Sequence, residues 1–164
     1  LISWSRHNPV FCRDFDFIVG QWHVHNRRLV ARLSNCNEWE EFVGTCQAKL
    51  ILEGLGNFDE VTFQRTSGTL AGCTLRLFNP ATQEWSIYWS DNQSGLLFPP
   101  MIGKFNAGVG EFYAQEMHQQ RTVLSRFIWS GITNERCHWE QALSADGGRN
   151  WETNWTMDFS RVLS

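Results

Sequence analysis

Short stretches of alternating apolar and polar residues recur along most of the chain and are separated by residues that favour turns. A period of two places successive side chains on opposite faces of a strand, so the pattern predicts β-strands rather than helices. The ten predicted strands span residues 22–30, 39–50, 58–65, 71–79, 84–90, 97–105, 109–117, 122–130, 136–145 and 151–161. In the last of them the face expected to point inward carries Trp151, Thr153, Trp155, Met157, Phe159 and Arg161.

The breaks between these strands have the chemistry of short turns. Residues 79–82 contain a Pro where a type I turn needs its fixed φ, and residues 146–148 contain two Gly that accept positive φ. Connections of hairpin length imply a meander, and a long meander hides its edges by closing into a barrel. We therefore predict one all-β domain over residues 1–164, a closed antiparallel meander β-barrel of about ten strands. A β-sandwich is the structural alternative.

Two local features modify this outline. Residues 14–20 are rich in apolar side chains but too few for an ordinary helix, which predicts a short 3₁₀ turn that plugs one end of the barrel. Pro99 and Pro100 interrupt the sixth strand, and Pro donates no hydrogen bond to a ladder. That strand is therefore either at an edge or begins after Pro100.

Aromatic content and charge narrow the function classes. The chain has nine Trp and twelve Phe. Packing of the core and the barrel accounts for most of them, but aromatic side chains are also enriched in ligand pockets, and we predict an aromatic-lined interior. The formal net charge is −3, with no basic stripe, so binding of nucleic acid through phosphates is excluded. No run approaches the roughly 18 apolar residues of a membrane-spanning helix.

Five cysteines, an odd number with no Cys-x-x-Cys pair, argue against a disulfide framework or a zinc site. We expect reduced thiols and a cytoplasmic location. Because the sequence begins at Leu1, whether a targeting segment precedes it is left open. The cysteines are Cys12, Cys36, Cys46, Cys73 and Cys137.

Gly20-Gln21-Trp22 opens the first strand directly after the predicted turn, and Arg161 ends the last strand. This pattern resembles the calycins, the lipocalins and fatty-acid-binding proteins, in which a Gly-x-Trp opens the first strand and an Arg from the last strand packs across the Trp. A guanidinium on an indole face also donates to nearby carbonyls. The resemblance implies that Gly20, Trp22 and Arg161 close one end of a lipocalin-like barrel.

Three longer stretches, residues 15–22, 75–89 and 139–161, are similar to a family of bacterial lipocalin-like proteins of unknown function. This resemblance implies a soluble lipocalin-like barrel and says little about its function. By analogy of fold, we expect the barrel to bind a small hydrophobic or amphipathic ligand in its interior, and no cofactor is predicted. Because a fold does not specify a function, it leaves the ligand open. The candidate ligand-binding residues are Arg28, Tyr88, Trp89, Trp139, Gln141, Trp155 and Met157.

Strand parity leaves several candidates unresolved. Tyr88 and Trp89 are adjacent, so both face inward only if a bulge intervenes. On residues 136–145, the apolar side chains favour an arrangement in which Trp139 and Gln141 face the interior. In the alternative arrangement His138 and Glu140 face it. They could then form an acid–base pair, or His138 could bind a haem.

Two further groups are expected on the outside. Burial statistics favour an outward Arg76, although an inward Arg would suit a ligand carboxylate. His23 and His25 lie opposite to Trp22 in parity and should face solvent, so no metal site is predicted.

Three functions therefore compete: a ligand-binding barrel, an enzyme on the same barrel, and a filled barrel that acts as an interaction protein or homodimer. An isomerase, cyclase or hydrolase would use lumenal groups such as Glu140, Asn154, Tyr88 or Arg76. It needs at least two titratable groups that converge in one cavity. A filled barrel should instead have an interior of packed Trp and Leu.

Overall fold

A computed structural model describes residues 12–163. Within them, ten antiparallel strands form one closed barrel: each strand pairs with its neighbours in sequence, and the first pairs with the last. This confirms the predicted all-β meander barrel. The described part of the chain contains no helix long and apolar enough to cross a membrane. The strands are β1 (Gly20–Leu29), β2 (Trp39–Ile51), β3 (Gly56–Arg65), β4 (Gly68–Asn79), β5 (Glu84–Asp91), β6 (Met101–Asn106), β7 (Val109–His118), β8 (Arg121–Ser130), β9 (Arg136–Ser144) and β10 (Glu152–Arg161).

The alternating pattern decides which side chains enter the barrel. On β1, Trp22 and Val24 are buried, whereas His23 between them is exposed. The register continues these rows around the wall, since Trp22 lies opposite Cys46 of β2. Along regular stretches of strand, one parity therefore lines the interior and the other forms the outer surface.

A 3₁₀ turn over Asp16–Ile18 closes one end of the barrel, as predicted for this segment. Phe15 at its start is buried and meets Phe105 edge to face, with the ring centroids 4.8 Å apart. The indole N–H of Trp22 donates to the carbonyl of Ile18 at 2.7 Å. The turn is thus tied to β1 and acts as a plug.

The three residues expected to seal this end lie together. The guanidinium of Arg161 stacks on the Trp22 ring, and Gly20 makes room for it. A Cβ at position 20 would lie 2.6 Å from Nη1 of Arg161, and the φ of Gly20 is +119°, which disfavours other residues.

The sixth strand begins at Met101, so the expectation of a strand from residue 97 is wrong and the alternative of a start after Pro100 holds. Residues 92–100 form a loop instead. β6 pairs with β5 only through Trp85–Ile87, and residues 114–118 of β7 have no partner on β6. The wall between β5 and β7 is therefore interrupted at the end away from the plug.

β10 contains a bulge that changes the facing of its first residues. Thr153 pairs with Ala142, but Trp155 pairs with Gln141, which leaves Asn154 as an extra residue. The expectation that Trp151 and Thr153 share the inner face with Trp155 is therefore wrong, because the bulge reverses the parity. Trp151 lies outside the barrel.

The outer position of Trp151 is fixed by two neighbours. Its ring centroid is 6.1 Å from that of Tyr113, and the guanidinium carbon of Arg126 lies 4.5 Å from its centroid. Arg126 itself pairs with Ala142 in the ladder and faces outward.

Candidate functional site

The end of the barrel opposite the plug is its mouth. β1 ends there at Leu29, β5 ends there at Asp91, and β10 begins there at Glu152. Inward side chains close to this end are the ones that a ligand entering the barrel meets first. The loops around the mouth are residues 30–38, 66–67, 92–100, 119–120 and 145–151.

Five aromatic side chains form a connected series on the inner wall below the mouth, which we call the aromatic collar. The ring centroids of Phe42 and Phe63 are 5.8 Å apart, and Phe63 is 6.1 Å from Trp155. Trp155 lies 5.6 Å from Trp139, which lies 4.9 Å from Phe127. Edge-to-face contacts of this kind hold aromatic rings in fixed orientations. The collar is thus a rigid apolar surface inside the barrel.

Arg28 projects into the barrel directly above the collar. Its guanidinium carbon lies 4.6 Å from the centroid of the Trp155 ring. Burial and the positive charges of Arg65 and Arg32 together lower the pKa of Arg28 to about 10, against the smaller opposite effect of the Glu40 and Asp91 carboxylates. Burial and like charges thus both disfavour its charged form.

The arginines beside Arg28 form ion pairs with carboxylates. Arg65 donates to Glu40 at 2.6 Å, and Arg32 lies 3.7 Å from Glu116. No carboxylate among residues 12–163 forms an ion pair with Arg28. Arg28 is therefore a partly buried cation that makes no direct ion pair within residues 12–163, although the carboxylates of Glu40 and Asp91 are near enough to raise its pKa.

Trp89 lies on the inner face of β5 close to the mouth. Its ring packs on Gly72 of β4, where a Cβ would overlap the ring atoms. Its indole N–H donates to Oδ2 of Asp91 at 3.0 Å. Gly72 and Asp91 together fix the orientation of this ring.

The interruption of the wall is bridged by the loop of residues 92–100. The N–H of Phe98 donates to the carbonyl of Trp89 at 2.9 Å, which anchors the loop to β5. Leu96, Leu97 and Phe98 are nevertheless exposed to solvent. Beside the mouth, the chain thus presents three consecutive apolar side chains.

Deeper in the barrel, a buried ion pair joins β3 and β4. Nη1 of Arg76 lies 2.7 Å from Oδ2 of Asp59 and donates to Oδ1 of Asn57 at 2.8 Å. Arg76 is 4% exposed and Asp59 1%, so both charges are inside. The expectation that Arg76 faces outward is therefore wrong, because its counter-charge faces the same interior.

The guanidinium of Arg76 also lies between two aromatic rings. Its carbon is 5.3 Å from the centroid of Phe15 in the plug and 5.6 Å from that of Trp129 on β8. Asn57, Asp59, Arg76 and Trp129 form what we call the floor cluster, since it rests on the plug. Nothing in the sequence patterns singled out Asn57 or Asp59, although they share their parity with the apolar Val61.

Each member of the floor cluster buries a polar atom that has no hydrogen-bond partner within residues 12–163. These atoms comprise three donors and one acceptor. A buried polar atom without a partner costs about 1–3 kcal/mol, so such atoms normally meet water or a ligand. They are Nδ2 of Asn57, Oδ1 of Asp59, Nε of Arg76 and Nε1 of Trp129.

The other predicted binding residues divide between the two faces. Gln141 and Met157 face the interior, where the amide of Gln141 donates to Oδ1 of Asn154 at 2.8 Å. Tyr88 does not: it lies opposite Leu75 on the outer face of β5, while Trp89 beside it faces inward. The interior placement of Tyr88 is therefore wrong, because β5 has no bulge to reverse its parity.

Three histidines, His23, His25 and His138, lie on the outer face of the barrel. Nδ1 of His138 is 2.8 Å from Oδ1 of Asp158, and Trp139 beside it takes the inner position that the apolar pattern favoured. His23 and His25 border a groove of about 530 Å³ on the outer surface. No group of three or more His, Cys, Asp or Glu side chains within residues 12–163 is arranged to hold a metal ion.

Two of the cysteines face the barrel core. Cys46 and Cys137 are buried, and their burial raises the pKa of both thiols, that of Cys137 to about 12. A thiol with a raised pKa is a poor nucleophile at neutral pH. All five cysteines are free.

No family model matches the chain, and no curated protein matches its sequence. Among solved structures, the S-type phycobiliprotein lyase CPES from Guillardia theta is similar, with a TM-score of 0.62 and 9% sequence identity. The similarity covers 92% of this chain and 91% of that one. It shows a shared fold, which fits the calycin-like architecture expected from the Gly-x-Trp pattern, and does not show a shared function.

Proposed function

We propose that this protein binds a small amphipathic molecule inside its barrel, with the apolar body of the ligand on the aromatic collar and an anionic group on Arg28. The observation that carries the proposal is the position of Arg28. It is an inward-facing cation that makes no direct ion pair among the described residues, stacked on Trp155 at the entrance to an aromatic interior.

The electrostatics of the mouth favour an anion at this position. Glu40 and Glu116 already pair with Arg65 and Arg32, so Arg28 supplies the charge that remains for a ligand. A carboxylate or sulfonate accepts charge-assisted hydrogen bonds from a guanidinium and removes the penalty of burying it alone.

The collar supplies the apolar part of the binding energy. Burial of apolar ligand surface contributes roughly 25 cal/mol per Å², and fixed ring faces favour flat or extended molecules. The exposed apolar side chains of Leu96, Leu97 and Phe98 extend this surface to the outside along the interrupted wall. A ligand that enters at the mouth would pass these side chains.

The two alternatives fit the interior less well. A barrel filled by its own side chains would leave the four buried polar atoms of the floor cluster without a partner among the described residues. An enzyme needs converging titratable groups, and Asp59 and Arg76 do converge, but each neutralises the other. The polar interior therefore supports binding better than acid–base chemistry.

The test is a fluorescence titration with two probes of one skeleton. Anilinonaphthalene sulfonate carries an anion, and phenylnaphthylamine lacks it. The folded protein should bind both and prefer the sulfonate. Arg28→Gln should weaken sulfonate binding by about 10-fold or more, the effect of losing one charged hydrogen-bonding partner, and leave phenylnaphthylamine unchanged.

Arg27→Gln is the matched control. Arg27 neighbours Arg28, but it faces outward and pairs with Glu41. The Arg27→Gln variant should therefore bind both probes with the affinities of the wild type. If neither probe binds the folded wild type, the proposal is overturned. If Arg28→Gln and Arg27→Gln lose the same affinity for anilinonaphthalene sulfonate, Arg28 contributes only to the general charge of the surface.

A further inference from the structure

The floor cluster has a chemistry different from that of the mouth. We propose that it binds a neutral hydrogen-bonding group of the ligand, one in which an N–H lies beside a C=O, as in a lactam or an amide. The inference rests on the proposed function, because the ligand reaches the cluster through the same mouth.

The charges of Asp59 and Arg76 disfavour the binding of an ionised ligand group in the floor cluster. Asp59 and Arg76 lie 2.7 Å apart and are both buried, so their charges cancel locally. A carboxylate brought to Arg76 would be repelled by Asp59, and an ammonium brought to Asp59 would be repelled by Arg76. At low dielectric such repulsion is large, and a neutral group avoids it.

The unpartnered atoms match an amide in kind, since they include both an acceptor and donors. Oδ1 of Asp59 is a free acceptor that suits one N–H. The free N–H groups of Arg76, Trp129 and Asn57 suit a carbonyl oxygen, which has two lone pairs. An aliphatic or purely aromatic group would leave all four atoms unsatisfied, so its burial there would be disfavoured.

The cluster is continuous with the collar, which allows one molecule to contact both. Asp59 lies on the same inner face of β3 as Phe63, and Trp129 is the ladder partner of Trp139. A ligand lying on the collar therefore directs its inner end towards Asp59 and Trp129. The plug residue Phe15 limits how deep that end can go.

The test uses carbostyril, an aromatic lactam, and N-methylcarbostyril, which keeps the ring and carbonyl but lacks the N–H. Isothermal titration calorimetry of the folded wild type should show carbostyril binding about 10-fold or more tightly. In the double variant Asp59→Leu/Arg76→Met, which removes both charges together, the ratio of the two dissociation constants should fall close to one. Glu60→Gln, on the outer face of β3, is the matched control and should keep the wild-type ratio.

Trp129→Phe tests the hydrogen bonds that we propose for the carbonyl oxygen of the ligand. It also keeps the inference testable if the double variant does not fold. It removes one N–H while keeping an aromatic ring, so it should weaken carbostyril several-fold and leave naphthalene unchanged. Two outcomes would overturn this inference and leave the proposed function standing. In one, the wild type binds the two carbostyrils with equal affinity. In the other, it binds anilinonaphthalene sulfonate but not carbostyril, and either result would mean that the cluster holds water only. If the sulfonate also fails to bind, the proposed function fails with it.

Discussion

The guanidinium carbon of Arg161 lies 4.2 Å from the centroid of the Trp22 ring, joining the last strand of the barrel to the first. The same guanidinium donates to three backbone carbonyls, those of Val19 at 2.6 Å, Phe17 at 2.8 Å and Asn134 at 2.5 Å. One side chain thus holds together the plug, the first strand and the loop before β9. Its planar set of donors makes this possible.

Arg161→Met should therefore lower the free energy of unfolding by about 2–4 kcal/mol, because it removes a cation–π contact and several charged hydrogen bonds. Arg161→Lys should recover part of the loss, since Lys keeps the charge but not the planar donors. Urea unfolding followed by Trp fluorescence measures both. Arg136→Met, at an exposed arginine near the same end, should change stability by no more than about 0.5 kcal/mol. Equal effects at positions 136 and 161 would contradict the sealing role.

The buried pair in the floor cluster predicts a non-additive result. Arg76→Met alone leaves Asp59 charged and unpaired in the interior, which should lower the free energy of unfolding by about 3–5 kcal/mol. Asp59→Leu/Arg76→Met removes both charges and should be close to wild type in stability, because the desolvation penalty disappears with the pair. Urea denaturation of the single and double variants tests the coupling. A double variant as unstable as the sum of the singles would contradict it.

The barrel itself was predictable because its signals are local. Alternation and turn residues mark nearly every strand within a window of a few residues, and closure follows from the need to hide strand edges. The Trp22–Arg161 contact was expected only through the calycin resemblance. Composition and spacing alone do not place the two residues together, since they lie at opposite ends of the sequence.

The floor cluster was missed because its partners are remote in sequence. Asn57 and Asp59 share parity with Val61 and Phe63, a sign of inward facing that the alternation already contained. Burial statistics argued against an inward Arg76, since a buried charge is rare without a partner. The partner is supplied by the β3–β4 register, which pairs Arg76 with Asn57 and which no local pattern specifies.

Other errors arise where regular alternation ends. One inserted residue, Asn154, reverses the facing of everything before it on β10, and nothing in the hydrophobic pattern marks the bulge. Leu97 and Phe98 had the composition of a strand, but the prolines that follow remove two donors and leave the segment as a loop.

Gly72→Ala should displace the ring of Trp89, because the new Cβ would overlap it. We expect a loss of about 1–3 kcal/mol, typical of overpacking, and a changed Trp emission as the bond to Asp91 is disturbed. The control is the same substitution in a Trp89→Leu background, where the smaller side chain leaves space and the loss should shrink below 1 kcal/mol or so. A loss of equal size in both backgrounds would show that backbone conformation, and not the ring, determines the effect.

Asp146 makes the hairpin between β9 and β10 sensitive to acid. Its carboxylate accepts the backbone N–H of Asn150 at 2.9 Å and the side-chain amide of the same residue at 2.7 Å, and these bonds hold the pKa of Asp146 at about 2. A pKa depressed in the folded state stabilises the protein above the unfolded pKa of 3.8, and this contribution is lost as the pH falls towards 2. The stability difference between wild type and Asp146→Asn should therefore be constant above about pH 5 and shrink between about pH 4 and pH 2. Urea unfolding across this range measures it. Glu135→Gln is the control, because Glu135 is exposed and lies outside the hairpin. Its stability difference from the wild type should shrink less over this pH range. A difference for Asp146→Asn that stays constant down to pH 2 would mean that these hydrogen bonds do not favour the charged form.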